Sequence, residues 1–237
     1  MGKKELKAYK FDKKSDYIVY LQELIARTDK CLYKTKIYLD ELDEIVNELE
    51  KTGLDKVSPD IYSRYVDLLG NNTSYLLNLI GDKQKSSISY AKFRLVIDKR
   101  KSNDSLDFEI RDLDEKTEFI LKDLNKMRNW HNHVPESLLL SEIEMIRTEG
   151  FVPHRVQPIE VRYFDLTDIE VAKDLLETSI GFYNVCRIAH QSMKKDYSDL
   201  IGESVRIVRV RLEERKMMNT FAPTKLSAEV QGIVGKI

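Results

Sequence analysis

The sequence predicts an all-α fold, an antiparallel helical bundle with a minor short β element in its C-terminal third. Three observations predict it. Helix breakers are scarce, with 9 Gly and 5 Pro in 237 residues, which favours long helices over many short strands. Apolar residues recur every three or four positions over long stretches. Charged residues, 33% of the chain, fill the positions between them, as solvated helix faces do.

The first helix is expected over residues 15–51, on Ile18, Leu21, Leu24, Ile25, Leu32, Leu39, Leu42, Ile45, Val46 and Leu49, with Gly53 as its stop. Tyr17, Tyr20, Tyr33 and Tyr38 are expected to edge the core with wet hydroxyls. Ser58-Pro59 pairs an N-cap residue with Pro at the first helical position. The helix it opens carries Ile61, Tyr65, Leu68 and Leu69. Gly70-Asn71-Asn72 threatens to break it, and the pattern resumes over 75–80. A third helix is expected over 86–101, with Ile88, Phe93, Val96 and Ile97, then a turn over 102–105.

The next stripe is the most regular in the chain: Leu106, Ile110, Leu113, Thr117, Ile120, Leu124 and Met127. It predicts a helix starting near Leu106, with Asp107, Asp112, Asp114, Glu115 and Lys116 in water. Val134-Pro135 should end or kink it, because a residue before proline avoids the α region. Pro135 then opens a helix through Leu138, Leu139, Ile143 and Ile146 to Gly150. Pro153 and Pro158 make 151–164 a poor helix, with 159–164 suited to a short strand. Asp165 or Thr167 is the expected cap of a helix through Val171, Leu175, Leu176, Ile180, Val185 and Ile188 to about 197. Residues 204–212 suit helix or strand equally, and 220–237 read as a weakly held tail. The predicted organisation is a helical domain over 1–200 and a C-terminal segment over 201–237.

A chain of this length buries a core without disulfides or metals. Its formal net charge of −1 does not advertise a nucleic-acid binder. A local patch can still act within a Debye length of about 10 Å. Cys31 and Cys186 stand far apart, with neither a disulfide framework nor metal-ligand spacing, and read as buried free thiols. The basic first residues lack the apolar stretch of a signal peptide. No window approaches the roughly 20 apolar residues of a membrane span. The expectation is a cytoplasmic protein without a membrane partner.

Chemistry concentrates in Arg128-Asn129-Trp130-His131-Asn132-His133, which holds two of the four histidines and the single Trp. Histidine exchanges protons near neutrality. Arginine grips phosphate through paired hydrogen bonds. Asn orients without titrating. Together these suffice for RNA cleavage without a metal: a His takes the ribose 2′-hydroxyl proton or protonates the leaving 5′-oxygen, and an Arg steadies the phosphorane. Geometry resists, since residues five apart on a straight helix point about 140° away from each other. The Val134-Pro135 break, or a second copy supplying part of the site, resolves this.

Arg128-Asn129 followed by His133 resembles the Arg-x4–6-His signature of HEPN-domain ribonucleases, in which a polar residue commonly follows the Arg. The resemblance implies an antiparallel helical bundle, a homodimer joining two motifs in one cleft, and metal-independent RNA cleavage in toxin–antitoxin or abortive-infection systems. It implies Arg128 and His133 as the catalytic pair, Asn129 assisting, His131 in support, an RNA substrate, no cofactor, and an antitoxin or defence-system partner. One branch of that family carries a Tyr two residues beyond the motif His. Pro135 stands there in this chain, which argues against regulation by nucleotide transfer at that site.

Plainer readings stand beside these. Arg128 pairs with Asp123 or Glu136. His131 is a core histidine on the extended stripe. His133 binds a helix-end carbonyl. Trp130 anchors a core or dimer interface. His154 and His190 are structural. No carboxylate or Cys accompanies His131 and His133 at a familiar ligand spacing, so no metal is expected. Arg206, Arg209, Arg211 and Arg215 form the strongest basic run, suited to RNA phosphates or to a solvated face. The two rivals to a nuclease are a non-catalytic helical partner-binding protein and a metal hydrolase using the two histidines.

Overall fold

A computed structural model describes residues 9–132, 140 and 166–209. Within them lie five helices: α1 Lys14–Thr52, α2 Pro59–Gly81, α3 Tyr90–Ser102, α4 Glu115–Asn132 and α5 Ile169–Ile201. The described residues also include two two-residue strands, β1 Lys56–Val57 and β2 Thr167–Asp168. The fold is all-α with a minor β element, as the sequence predicts. Contacts divide the chain into residues 1–205 and 206–237. Of the second unit, 206–209 are exposed and form neither helix nor strand. The break at Val134-Pro135, the helix expected over 135–150, the strand over 159–164 and the tail over 220–237 lie outside the described residues.

α1 starts where the Asp16 carboxylate accepts the backbone N–H groups of Asp12 and Lys13, at 2.9 and 2.8 Å. It stops at Gly53, whose φ of 71° is the left-handed turn glycine adopts without strain. The Leu54 N–H closes that end on the Leu49 carbonyl at 3.0 Å. α1 packs antiparallel to both α5 and α2. Its first half shares one apolar cluster with Leu76, Leu77 and Ile80 of α2, Phe93 of α3, Leu124 of α4 and Met193 of α5. In its second half, Leu39, Leu42 and Val46 pack with Tyr65 and Leu69 of α2 and Ile169, Ala172 and Leu176 of α5.

Two of the four tyrosines expected at the wet edge are core residues instead. Tyr17 is 1% and Tyr20 3% exposed. The Tyr20 hydroxyl accepts the Ser89 N–H at 2.8 Å and lies 3.1 Å from the Ser89 carbonyl, and burial pushes its pKa up to about 12. Tyr17 sits among Phe11, Phe93 and Phe108, with the Arg100 guanidinium 5.7 Å over its ring. A phenol ring buries large apolar area, and here the rings win over hydration of the hydroxyls.

α2 runs unbroken through Gly70-Asn71-Asn72. A mid-helix Gly costs about 1 kcal/mol against Ala. Burying Leu69, Leu76, Leu77 and Ile80 on either side of it contributes about 1.5–3 kcal/mol each, so packing decides. The Asn72 side-chain amide also donates to the Thr35 hydroxyl of α1 at 3.2 Å. α3 starts at Tyr90, later than expected, because Ser89 is the cap and accepts the Lys92 N–H at 3.2 Å.

The helix expected from Leu106 does not form there. Residues 103–114 form a strap that is neither helix nor strand, turning at 103–104 where Asp104 has φ 52° and bending at 107–108, and α4 begins at Glu115. Leu106, Phe108 and Ile110 turn inward while Asp107 and Glu109 stay exposed, a period of two. Asp114 then sets the helix start, accepting the Thr117 N–H at 2.8 Å and its hydroxyl at 3.0 Å. An arginine fastens the strap. Arg111 Nε reaches Asp196 at 3.0 Å, and its Nη2 donates to the Ser192 carbonyl and hydroxyl at 3.0 Å. Asp196 is fully buried, and it also takes Arg94 at 2.5 Å and the Tyr90 hydroxyl at 2.7 Å. Burial raises the Asp196 carboxyl above its usual range, against the opposing pull of Arg94, the Tyr90 hydroxyl and Arg111.

The cap of α5 is Asp168, rather than Asp165 or Thr167, and its carboxylate accepts the Glu170 N–H at 3.2 Å. α5 continues past the expected end to Ile201, where Gly202 turns left-handed with φ 76°. β1 and β2 pair antiparallel, Lys56 opposite Asp168 and Val57 opposite Thr167. The Ile169 N–H extends the clip to the Asp55 carbonyl at 3.0 Å.

Candidate active site at the end of α4

α4 lies antiparallel against α2, and the two backbones approach closely at Gly81. A Cβ there would sit 2.8 Å from the Leu124 carbonyl oxygen, so glycine is what permits the approach. The Asn125 side-chain amide donates to the Gly81 carbonyl at 2.6 Å. Gly81→Ala should therefore destabilise the protein by about 1–3 kcal/mol, since backbone and not a movable side chain meets the added methyl. A denaturation midpoint equal to the parent's would show that the helices do not depend on this contact.

One turn beyond Leu124, Arg128 reaches across the end of α2. Its Nε donates to Asn78 Oδ1 at 3.2 Å, Nη2 to Asp82 Oδ2 at 3.3 Å and Nη1 to Asn129 Oδ1 at 3.3 Å. The Arg128 side chain is 13% exposed and that of Asp82 8%. Asp82 is itself held, since its Oδ1 accepts the Gln84 N–H at 2.9 Å. The carbonyl end of α2 carries partial negative charge and favours a cation there. Arg128 is thus an oriented guanidinium, and two of its five N–H donors have no acceptor among the described residues.

The acidic partner is Asp82, and not Asp123 as the plainer reading had it; Glu136 lies outside the described residues. Met127 leaves the expected stripe and is 40% exposed, while Arg128 continues the inward line of Ile120, Leu121 and Leu124. Asn129 and His131 are exposed and Trp130 is 61% exposed. Neither His131 nor Trp130 is therefore a core residue of the chain. The structure brings Arg128 and Asn129 into contact and sets His131 on the last described turn of the same helix. His133 lies outside the described residues, as do His154, Arg211 and Arg215. His190 is buried on α5. Arg206 and Arg209 are exposed in the second unit.

Sequence reasoning missed Asn78 and Asp82, the residues that orient Arg128. Both flank the expected end of α2, where a polar residue reads as an ordinary helix terminus. Among the described residues, no group of three or more His, Cys, Asp or Glu could hold a metal ion, and no helix is long and apolar enough to cross a membrane.

The described fold and site define an antiparallel helical protein with an anchored arginine and an exposed polar segment at one helix end. Compared with known proteins, the chain matches no family model, no curated protein and no solved structure.

Proposed function

We propose that this chain is a metal-independent endoribonuclease of the HEPN type, acting as a homodimer in a toxin or phage-defence setting. The observation that supports it most is the anchoring of Arg128 by Asn78 and Asp82 beside exposed Asn129 and His131. A donor fixed before the substrate arrives needs no reorganisation as charge develops on the phosphorane. In the proposed reaction the ribose 2′-oxygen attacks the adjacent phosphorus and the bond to the 5′-oxygen breaks. His133 takes the 2′-hydroxyl proton or delivers one to the leaving oxygen. Asn129 steers the phosphate.

Incubation of the purified chain with RNA should give cleavage that persists in EDTA. Cleavage lost in EDTA would replace this reading with metal hydrolysis through His131 and His133. The same ion pair favours one rival. An Arg neutralised by Asp82 also suits a non-catalytic bundle that binds a partner, and intact RNA under every condition would decide for that rival.

A further inference from the structure

The outer face of α4 carries a feature that catalysis by Arg128 does not use. Steps of 100° per residue place Phe119, Lys122, Lys126 and Trp130 within about 80° of arc, opposite the buried Ile120, Leu121 and Leu124. Phe119 is 70% and Trp130 61% exposed, and Lys122 is 72% exposed. Lys83, from the α2–α3 connection, joins Phe119, Lys122, Asp123, Asn125 and Lys126 around a shallow cleft of about 300 Å³. Lys83 and Lys126 are exposed and have no ion-pair partner among the described residues. Lys122 has only a distant one, Glu118 at 4.0 Å.

We infer that this face is a binding track for single-stranded RNA, in which Lys83, Lys122 and Lys126 hold phosphates while Phe119 and Trp130 stack on bases. Identification of the ligand as RNA rests on the nuclease reading. The charge and the aromatics stand apart from it. At the cleft three lysines face Asp123 and Glu118, with Glu115 further along at the start of the helix, so the excess at the cleft is one positive charge on a chain of net charge −1, and a polyanion is the complement. An unpaired strand offers base faces to exposed aromatic rings, which a duplex does not. Phe119 and Trp130 are about 16 Å apart along the helix at 1.5 Å per residue, a span for several nucleotides. A second copy of the chain laid on this face brings lysines towards lysines, so it is the poorer occupant.

The test measures anisotropy of a labelled oligouridylate with the His133→Ala protein, so that cleavage does not intrude. Binding is expected at low salt. Lys122→Glu with Lys126→Glu should weaken it about tenfold or more, and should reduce the salt slope by about 1.4 for two lost contacts to a single strand. Phe119→Ala should weaken it about tenfold, with Phe119→Trp restoring it. Circular dichroism of each variant checks that the helices persist. Unchanged affinity in the lysine and Phe119 variants, or no binding by the parent, overturns the track. So does self-association that Phe119→Ala abolishes while RNA affinity stays the same. If the variants bind as expected but the parent never cleaves RNA, the nuclease reading falls and the track stands. If the parent cleaves and these variants bind and cleave like it, the track falls and the nuclease reading stands.

Discussion

His133→Ala is expected to abolish RNA cleavage, and any growth toxicity, without unfolding the protein. General acid–base catalysis commonly contributes about 10²–10⁴-fold, and no other residue of the motif is an obvious substitute for this one. Arg128→Ala should cost a comparable factor through lost stabilisation of the phosphorane, but its reading is less simple. Arg128 is the partner of Asp82, which is 6% exposed, so truncation leaves a nearly buried carboxylate without its cation. A stability loss of about 1–3 kcal/mol should accompany the lost activity. Arg128→Lys separates the two effects. It keeps the charge beside Asp82 and removes the fork that grips phosphate, so stability should recover and activity should not. Asn129→Ala should be milder, because an orienting amide carries neither proton nor charge. His131→Ala is the control: an exposed residue should leave the denaturation midpoint unchanged. Cleavage by a folded His133→Ala protein at the parent's rate would end the nuclease reading.

Asp196→Ala is expected to be the most destabilising single truncation of a polar side chain in the bundle, at about 3–5 kcal/mol. Its carboxylate is fully buried and serves Arg94, Arg111 and Tyr90 together. Without it, Arg94, only 3% exposed, is a cation with no anion facing it, and the strap over 103–114 loses its fastening to α5. The loss should be one of unpaired charge more than of volume. Asp196→Leu combined with Arg94→Met should therefore recover much of the stability, since apolar replacement of a whole buried ion pair is often neutral or better. Chemical denaturation of the single and double variants checks this. A double variant as unstable as Asp196→Ala would show that the network holds the strap through geometry that apolar packing cannot replace.

Much of this fold is legible in the sequence because long apolar stripes leave little freedom. The bounds of α1 follow from periodicity and Gly53, and the opening of α2 from Pro59 at its first position, although Ser58 makes no side-chain cap hydrogen bond. The strap is not legible. Leu106, Ile110 and Leu113 fit helical spacing, while Leu106, Phe108 and Ile110 fit a period of two, and the choice is made by Arg111 reaching Asp196 85 residues away. Arg94 and Asp196 did leave a signal. Arg94 lies in register with Tyr90 and Ile97, and Asp196 with Met193 and Leu200. A charged residue on an apolar stripe asks for an opposite charge elsewhere. At the site, the cluster of Arg, Asn and His stands out in the sequence, but the contacts that hold Arg128 do not. Asn78 and Asp82 meet Arg128 across 50 and 46 residues, and local pattern carries no information at that distance.

The β clip and the pairing of α1 with α5 also shape how the chain comes to be folded. Lys56 and Asp168 are joined across 112 residues, so the apolar side of α1 at Leu39, Leu42 and Val46 awaits Ile169, Ala172 and Leu176. At synthesis rates of about 5–20 residues per second, that interval is about 6–22 s. During it a long amphipathic helix emerges before the partner that shields it. Lengthening a closed loop adds little at equilibrium, about 0.6 kcal/mol per doubling. The burden is kinetic: a nascent chain halted before residue 169 presents an open apolar seam to its neighbours on the polysome, and the last of the described helices to be made is the one that closes the bundle.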